Sequence, residues 1–412
     1  QAQYGNVFTL RMLGQPPYVV VCNPADIKGL FMTPPDVLYT GEINGSIFRP
    51  VHGRYSLLTL DGDKHMQHRK LILPAFHGAR IPVYESIMRE LTQKQISAWQ
   101  VGSDFPIFPE IREITLNIIL RSIFGMKEDS TRFEPFKAVF RELIATIKSP
   151  AGLATLLIKK LHINLGPLTP WAKIKRLRRE VDELLYHEMR ERRKQGVSER
   201  SDILSLLLQA KDEHGRPMPD PEIRDEMWSL LSAGHDTSAT AMSWALYYIL
   251  ANPAILQRIT AELKETPQRF DYLEATLKET LRMMPIVPYI ARLTKQNYQL
   301  NDYLLPPGIG IIPAIYLAHH AAEHWPDPSQ FSPERFLTSS EKPYTYLPFG
   351  GGIRRCIGAT FAQYEMKIVL AELLTHTTLT LTDPVAPKAV RRGIVMEPES
   401  WVPVRLHAVS RE

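Results

Sequence analysis

Between about residues 62 and 290, apolar residues recur with a period near 3.6, which gathers them on one face of a helix. The spacing predicts helices at 66–76, 81–99, 111–124, 133–147, 171–194 and 203–210. The longest pattern opens on Asp220, an N-cap candidate, with Pro221 at the first helical position. It runs to Ala251, where Asn252-Pro253 stops it. Such a helix spans ~46 Å at 1.5 Å per residue. After Met227 it is apolar on nearly every side, so it belongs in a core. Ahead of residue 62 the pattern changes. Residues 7–13 and 18–22 flank Gly14-Gln15-Pro16-Pro17 and read as a hairpin. Asn23-Pro24 then caps a short helix. After residue 290, short strands alternate with Pro and Gly loops, interrupted by one last helix at 360–374. The expected fold is mainly α with a smaller β part. Its β-rich stretches lie at about 1–60 and 290–412, its helical stretch at 62–290, and all of it forms one domain over 1–412.

Composition narrows the classes. At 44% hydrophobic the chain is too apolar to be disordered. Its two cysteines, Cys22 and Cys356, rule out a disulfide framework, a Cys-rich zinc site and a four-Cys cluster. So few thiols suit a reducing compartment. The formal charge of +5 is mild for 412 residues. The densest basic stretches, 173–179 and 190–194, are interleaved with Glu180, Asp182, Glu183, Glu188 and Glu191. That reads as a solvated helix face, with an electrostatic docking surface as the alternative. No run reaches the ~18 apolar residues of a membrane span. The chain opens on Gln1, so a leader or anchor upstream stays open.

Three segments carry chemistry. Ala233-Gly234-His235-Asp236-Thr237 stands in the middle of the long apolar helix, where Gly, Asp and Thr are poor choices. The Thr237 hydroxyl can bond back to the Ala233 carbonyl and loosen the turn, making a groove for a ligand. A tolerated Gly kink explains the segment equally well. Phe349-Gly350-Gly351-Gly352-Ile353-Arg354-Arg355-Cys356-Ile357-Gly358 is a Gly-rich loop entering a helix. Its glycines let the backbone approach something closely. The helix start and two arginines favour a thiolate at Cys356. Glu279 and Arg282, one helical turn apart, can bridge on an apolar-periodic helix (Leu273, Leu277, Leu281) that ends at Pro285. A surface pair there is worth ~0–1 kcal/mol, and a buried one needs a further partner. Gly308-x-Gly310 fails as a dinucleotide fingerprint, because Pro313 breaks the helix such a motif requires.

The order of these signals, with Phe331-Ser332-Pro333-Glu334-Arg335-Phe336 between the last two, resembles the cytochrome P-450 superfamily of haem-thiolate monooxygenases. The likeness covers essentially the whole chain. It implies a single haem domain around a long central helix, and haem b (iron protoporphyrin IX) as cofactor. By that resemblance Cys356 is the thiolate ligand of the iron, with Phe349 packed beside it and Gly358 following. His65, Arg69, Arg292 and Arg354 would hold the haem propionates, His65 standing where Trp is commoner. Glu279, Arg282 and Arg335 would form the family's buried structural triad. Asp236 and Thr237 would be catalytic, Thr237 hydrogen-bonding dioxygen and Asp236 relaying protons.

The resemblance also outlines a substrate pocket. It would be lined by the loop at 43–56, a lid at 136–168, the Ala233 turn, 286–290 and 394–396, with Ala233, Val287, Ile290 and Val395 as the side chains named. An apolar substrate follows. The likeness is to a microbial, cyanobacterial-like branch, which implies hydroxylation or epoxidation of a fatty acid or terpenoid. It further implies a bacterial cytoplasmic protein with peripheral membrane contact left open. Electrons would come from a ferredoxin or flavodoxin with its NAD(P)H reductase, Arg355 being a docking charge. Two other readings stay open: a haem-thiolate peroxygenase or isomerase, and a haem sensor or carrier without turnover. The Asp236-Thr237 pair argues against both.

Overall fold

A computed structural model describes residues 3–410 except 12–15, 163–165, 167–168, 198–199, 267–268 and 339–342. The helices are α1 Pro24–Met32, α2 Gly41–His52, α3 Gly62–Ile72, α4 Glu85–Ser97, α5 Ile107–Phe124, α6 Phe133–Lys148, α7 Pro150–Leu157, α8 Pro170–Gln195, α9 Ile203–Gln209, α10 Asp220–Leu250, α11 Pro253–Glu265, α12 Asp271–Met283, α13 Ile315–His319, α14 Arg335–Thr338 and α15 Ala359–His376. The strands are β1 Val7–Leu10, β2 Tyr18–Val21, β3 Leu38–Tyr39, β4 Asp104–Pro106, β5 Arg292–Thr294, β6 Tyr298–Leu300, β7 Tyr303–Leu305, β8 Gly310–Pro313, β9 Thr377–Leu381, β10 Ala389–Arg392, β11 Val395–Pro398 and β12 Pro403–Val409. By contact density the chain divides into two compact units. One comprises 1–38, 81–118 and 234–412, the other 39–80 and 119–233.

The first unit holds the sheets. β1 and β2 pair antiparallel, as the hairpin pattern requires, although Gly14 and Gln15 of its turn lie outside the described residues. β2 runs parallel to β8, and β8 antiparallel to β5. The Asn23 side chain caps α1 by accepting from the Ala25 N–H at 2.8 Å, as read from the sequence. Strands β4, β12 and β9 make a second sheet. β4 therefore falls in a stretch expected to be helical; only pairing with residues 403–405 makes it a strand. A core of Val19, Val21, Ile27, Leu30, Phe31, Ile311 and Leu347 joins the first sheet to α1 and to the approach of the Cys356 loop.

The second unit is helical and corrects one expectation. Residues 41–52 form α2, not the pocket loop expected at 43–56, and the stretch 1–60 is accordingly less β-rich than anticipated. Gly41, Gly45 and Pro50 hide a helix from any propensity count. The helix is fixed from outside itself. The Asp61 carboxylate, from the start of α3, accepts the Thr40, Gly41 and Glu42 N–H groups, each at 2.8 Å, and so satisfies three orphan donors. Gly41 is needed there because a Cβ would meet the Thr59 and Leu60 backbone at 2.5 Å. The buried loop that follows hangs on the first turns of α10. The Asp225 carboxylate accepts the Tyr55 N–H at 2.9 Å, and Glu226 that of Leu57 at 3.1 Å.

Two buried histidines tie stability to pH. His52 contacts Ser232 Oγ at 2.7 Å, and burial lowers its pKa from 6.5 to about 4. His319, in the first unit, is lowered to about 3 by the same cause. Both are neutral when folded, so the unfolded chain binds more protons below pH 6.5 and stability falls from there toward pH 4. A pKa unit corresponds to about 1.4 kcal/mol. His52 alone therefore contributes a loss on the order of 2 kcal/mol between pH 7 and 4.5. Denaturant titrations at the two pH values should show it, and His52→Gln should flatten the slope. A slope unchanged in that variant would contradict the account.

Candidate active site

The Cys356 loop is built by close approach. Gly350 and Gly352 adopt positive φ (68° and 63°). A Cβ on Gly351 would come within 2.5 Å of the Phe31 ring, and one on Gly352 within 2.3 Å of the Phe31 carbonyl. L-side chains are excluded there for both reasons. The Cys356 N–H donates to the Phe349 carbonyl at 2.9 Å, closing the loop on itself three residues before α15. Cys356 is exposed. Cys22 is its opposite: it lies buried after β2, its pKa raised by burial, an inert thiol. A Cβ on Gly358 would meet open space, so that glycine is not demanded by packing here.

Two of the expected carboxylate-binding arginines come together. Arg292 and Arg354 line one small pocket with Phe31 and Gly351, and among the described residues no carboxylate lines it. Arg292 is 5% exposed, starts β5, and sits 5.9 Å over the Phe31 ring. An exposed thiol beside a glycine cradle, with two guanidiniums nearby, fits a dicarboxylate macrocycle whose metal takes a soft ligand. His65 and Arg69 stand one turn apart on α3 in the other unit. There His68 fixes the helix by bridging Glu226 at 2.7 Å and Glu222 at 2.9 Å, both on α10.

The Glu279 and Arg282 side chains are 0% exposed and joined by two hydrogen bonds, 2.7 and 2.8 Å. Arg335 Nε lies 3.4 Å from Glu279 Oε1, and the Ser332 N–H donates to the same oxygen at 2.9 Å. Arg282 also donates to the carbonyls of His319 and Pro328, each at 2.9 Å. The three residues singled out in the sequence thus form one network.

α10 is continuous through its central motif; Gly234 does not break it. Thr240 bonds back to the Asp236 carbonyl at 2.7 Å, so a back-bonding hydroxyl sits within this stretch of α10 without interrupting it. Asp236 is buried, with Oδ1 3.0 Å from Arg112 Nε and 3.7 Å from His235 Nε2. Thr115 Oγ1 donates to the His235 carbonyl at 3.1 Å. Sequence reasoning missed Arg112 and Thr115, because α5 precedes α10 by more than a hundred positions and no local pattern links them. It also missed Glu365 on α15. That carboxyl is wholly buried and faces Ser238, and neither oxygen makes a well-formed hydrogen bond. Burial raises its pKa to about 8, which keeps it protonated at neutral pH.

Of the expected pocket segments, two meet: the Met396 N–H donates to the Ile286 carbonyl at 3.0 Å, and Trp244 Nε1 on α10 to the Met396 carbonyl at 2.9 Å. Val395 is buried beside them. Ile290 packs on the sheet core, 3.5 Å from a Cβ placed on Gly350, so it supports the Cys356 loop as much as any pocket. Val287 is half-buried, and Ala233 lies in the other unit. Part of the lid expected at 136–168 lies outside the described residues; the rest is α6, α7 and a short 3-10 turn.

The cytochrome P450 family model matches residues 1–402. This chain belongs to the cytochrome P450 family. It is 36% identical over 413 residues to cytochrome P450 135B1 of Mycobacterium tuberculosis, covering 99% of this chain and 86% of that protein. It is 32% identical over 403 residues to cytochrome P450 138 of the same species, covering 96% and 88%. Among solved structures it is similar to retinoic acid-bound cyanobacterial CYP120A1, with a TM-score of 0.86 and 26% identity over 99% of this chain and 93% of that one. The fold is the P450 fold and the cofactor is haem b. The chain is an oxidoreductase of the haem-thiolate monooxygenase class, using dioxygen, a substrate and an electron-donating partner. Among the described residues no helix is long and apolar enough to cross a membrane.

Removing one member of a buried pair leaves the other charge uncompensated, which costs about 3–5 kcal/mol. Glu279→Gln should lower unfolding free energy by that order in a denaturant titration. A midpoint equal to the parent's would show that Arg282 is satisfied by backbone carbonyls alone.

Proposed function

We propose that this P450 hydroxylates or epoxidises an apolar small molecule of the fatty-acid or terpenoid type, with Cys356 as the thiolate ligand. The observation that carries the reading is the exposed Cys356 thiol presented by a glycine loop beside Arg292 and Arg354. Haem, when bound, supplies the oxidising chemistry at its iron. The chain's own residues bind, orient and move protons. Arg292 and Arg354 would hold haem propionate. Thr237 hydrogen-bonds dioxygen, and Asp236 passes protons inward from the side where Arg112 is partly exposed. His235 and Arg112 keep that carboxylate oriented. Val287 and Val395 belong to an apolar wall that selects substrate by shape and burial rather than by fixed polar contacts.

The substrate class is supported by the relative that binds retinoic acid, an apolar isoprenoid with one carboxylate. Electrons come from a ferredoxin or flavodoxin with its NAD(P)H reductase. Arg355 is exposed beside Cys356, where an acidic donor would dock.

Titrating the haem-loaded protein with a panel of fatty acids and terpenoids should shift the haem absorption band when a substrate enters the pocket. Silence across both classes would overturn the substrate assignment. Thr237→Ala should lower product formation on the order of 10²-fold while electron consumption continues. Coupling equal to the parent's would remove Thr237 from proton delivery.

A further inference from the structure

The Leu347 amide, two residues before Phe349, is buried in a stretch that belongs to no helix or strand. A buried backbone N–H outside regular structure needs a partner from elsewhere. Its partner is a side chain: the Leu347 N–H donates to His319 Nε2 at 2.7 Å. His319 is the last residue of α13 and is 0% exposed. Its other ring nitrogen, Nδ1, lies 3.2 Å from the Arg282 carbonyl. A carbonyl accepts only, so Nδ1 carries the proton and Nε2 keeps the lone pair that Leu347 uses. The ring is thereby fixed as one neutral tautomer. Burial and the nearby Arg282 charge both resist a second proton, which would set N–H against N–H.

The connections run both ways. Arg282 Nη1 donates to the His319 carbonyl at 2.9 Å, while the Arg282 carbonyl accepts from the His319 ring. On the far side, the Leu347 carbonyl accepts the Gly350 N–H at 3.0 Å, and the Phe349 carbonyl accepts the Cys356 N–H at 2.9 Å. The imidazole also stacks on Tyr346, whose hydroxyl donates to the Lys278 carbonyl at 3.1 Å. A continuous set of bonds therefore joins the Glu279–Arg282 pair to the loop that presents Cys356, and one imidazole is the link between them.

We infer that His319 is a positioning residue for the thiolate: by accepting the Leu347 N–H it sets the entry of the Cys356 loop and registers that loop against Arg282. This deepens the proposed role of Cys356 and rests on it. Leucine at 319 fills similar space but offers no acceptor, leaving the Leu347 N–H buried and unmatched. Glutamine can place an acceptor oxygen near the position of Nε2.

The test uses the haem-loaded protein. His319→Leu should retain its helical circular dichroism, yet its reduced carbon monoxide complex should lose the larger part of the red-shifted band of thiolate ligation. His319→Gln should restore most of it. The iron reduction potential should move in the same order across the two variants. A merely structural residue would alter the melting temperature without moving the band or the potential. A full thiolate band and an unchanged potential in His319→Leu would overturn the inference. Should that variant not fold, amide exchange in the parent protein decides: Leu347 should exchange as slowly as helix-interior amides, and exchange at a free-loop rate overturns the inference. Cys356→Ser separates the two levels. If the band survives that change, the ligand assignment has failed. If it is lost there but intact in His319→Leu, only the role of His319 has failed.

Discussion

A buried charge must be matched where it lies, and the Glu279–Arg282 pair is the place in this molecule where that constraint is most severe. Both side chains are completely withdrawn from water. Such a pair is weak evidence for stability in itself, because desolvation offsets much of the attraction. Its value here is the number of separate segments it obliges to stay together. Arg282 reaches carbonyls at His319 and Pro328, and Glu279 draws in the Ser332 amide and the Arg335 guanidinium. The segment from His319 to Arg335, which has little regular structure of its own, is held by these fixed points.

The two sides of the chemistry are held by different means. The Cys356 loop is shaped by backbone: glycine conformations, contact with Phe31 and amide–carbonyl bonds. The Asp236–Thr237 segment is shaped by side chains from α5 set against a helix that stays intact. The ligand role proposed for Cys356 would need a rigid presentation, whereas the relay role proposed for Asp236 would need access to solvent, on the side where Arg112 is partly exposed. In the other unit, His68, caught between Glu222 and Glu226, fixes α3, which carries His65 and Arg69.

Much of this was legible in the sequence where local rules suffice. Asn23 and Asp220 mark helix starts, the apolar period marks the long helices, and the Gly cluster around Cys356 marks a close approach. Glu279 and Arg282 were legible as a pair able to bridge on an apolar-periodic helix, and the family resemblance implied that the pair is buried with Arg335. The rest depended on residues distant in sequence. Helix α2 was hidden because Gly41, Gly45 and Pro50 argue against it locally, while its cap comes from Asp61. Arg112, Thr115 and His319 carry no local signature at all. Each becomes meaningful only against a partner that packing supplies, and the same holds for Glu365, whose burial the sequence could not show.

The central claim is that Cys356 presents a thiolate to haem iron. The most direct measurement is the absorption of the reduced, carbon monoxide-bound protein, recorded for the parent and for Cys356→Ser. The account predicts the red-shifted band of a thiolate haem in the parent and its loss in the variant, with haem still retained through the arginine contacts. A parent lacking that band, or a variant that keeps it, would contradict the account.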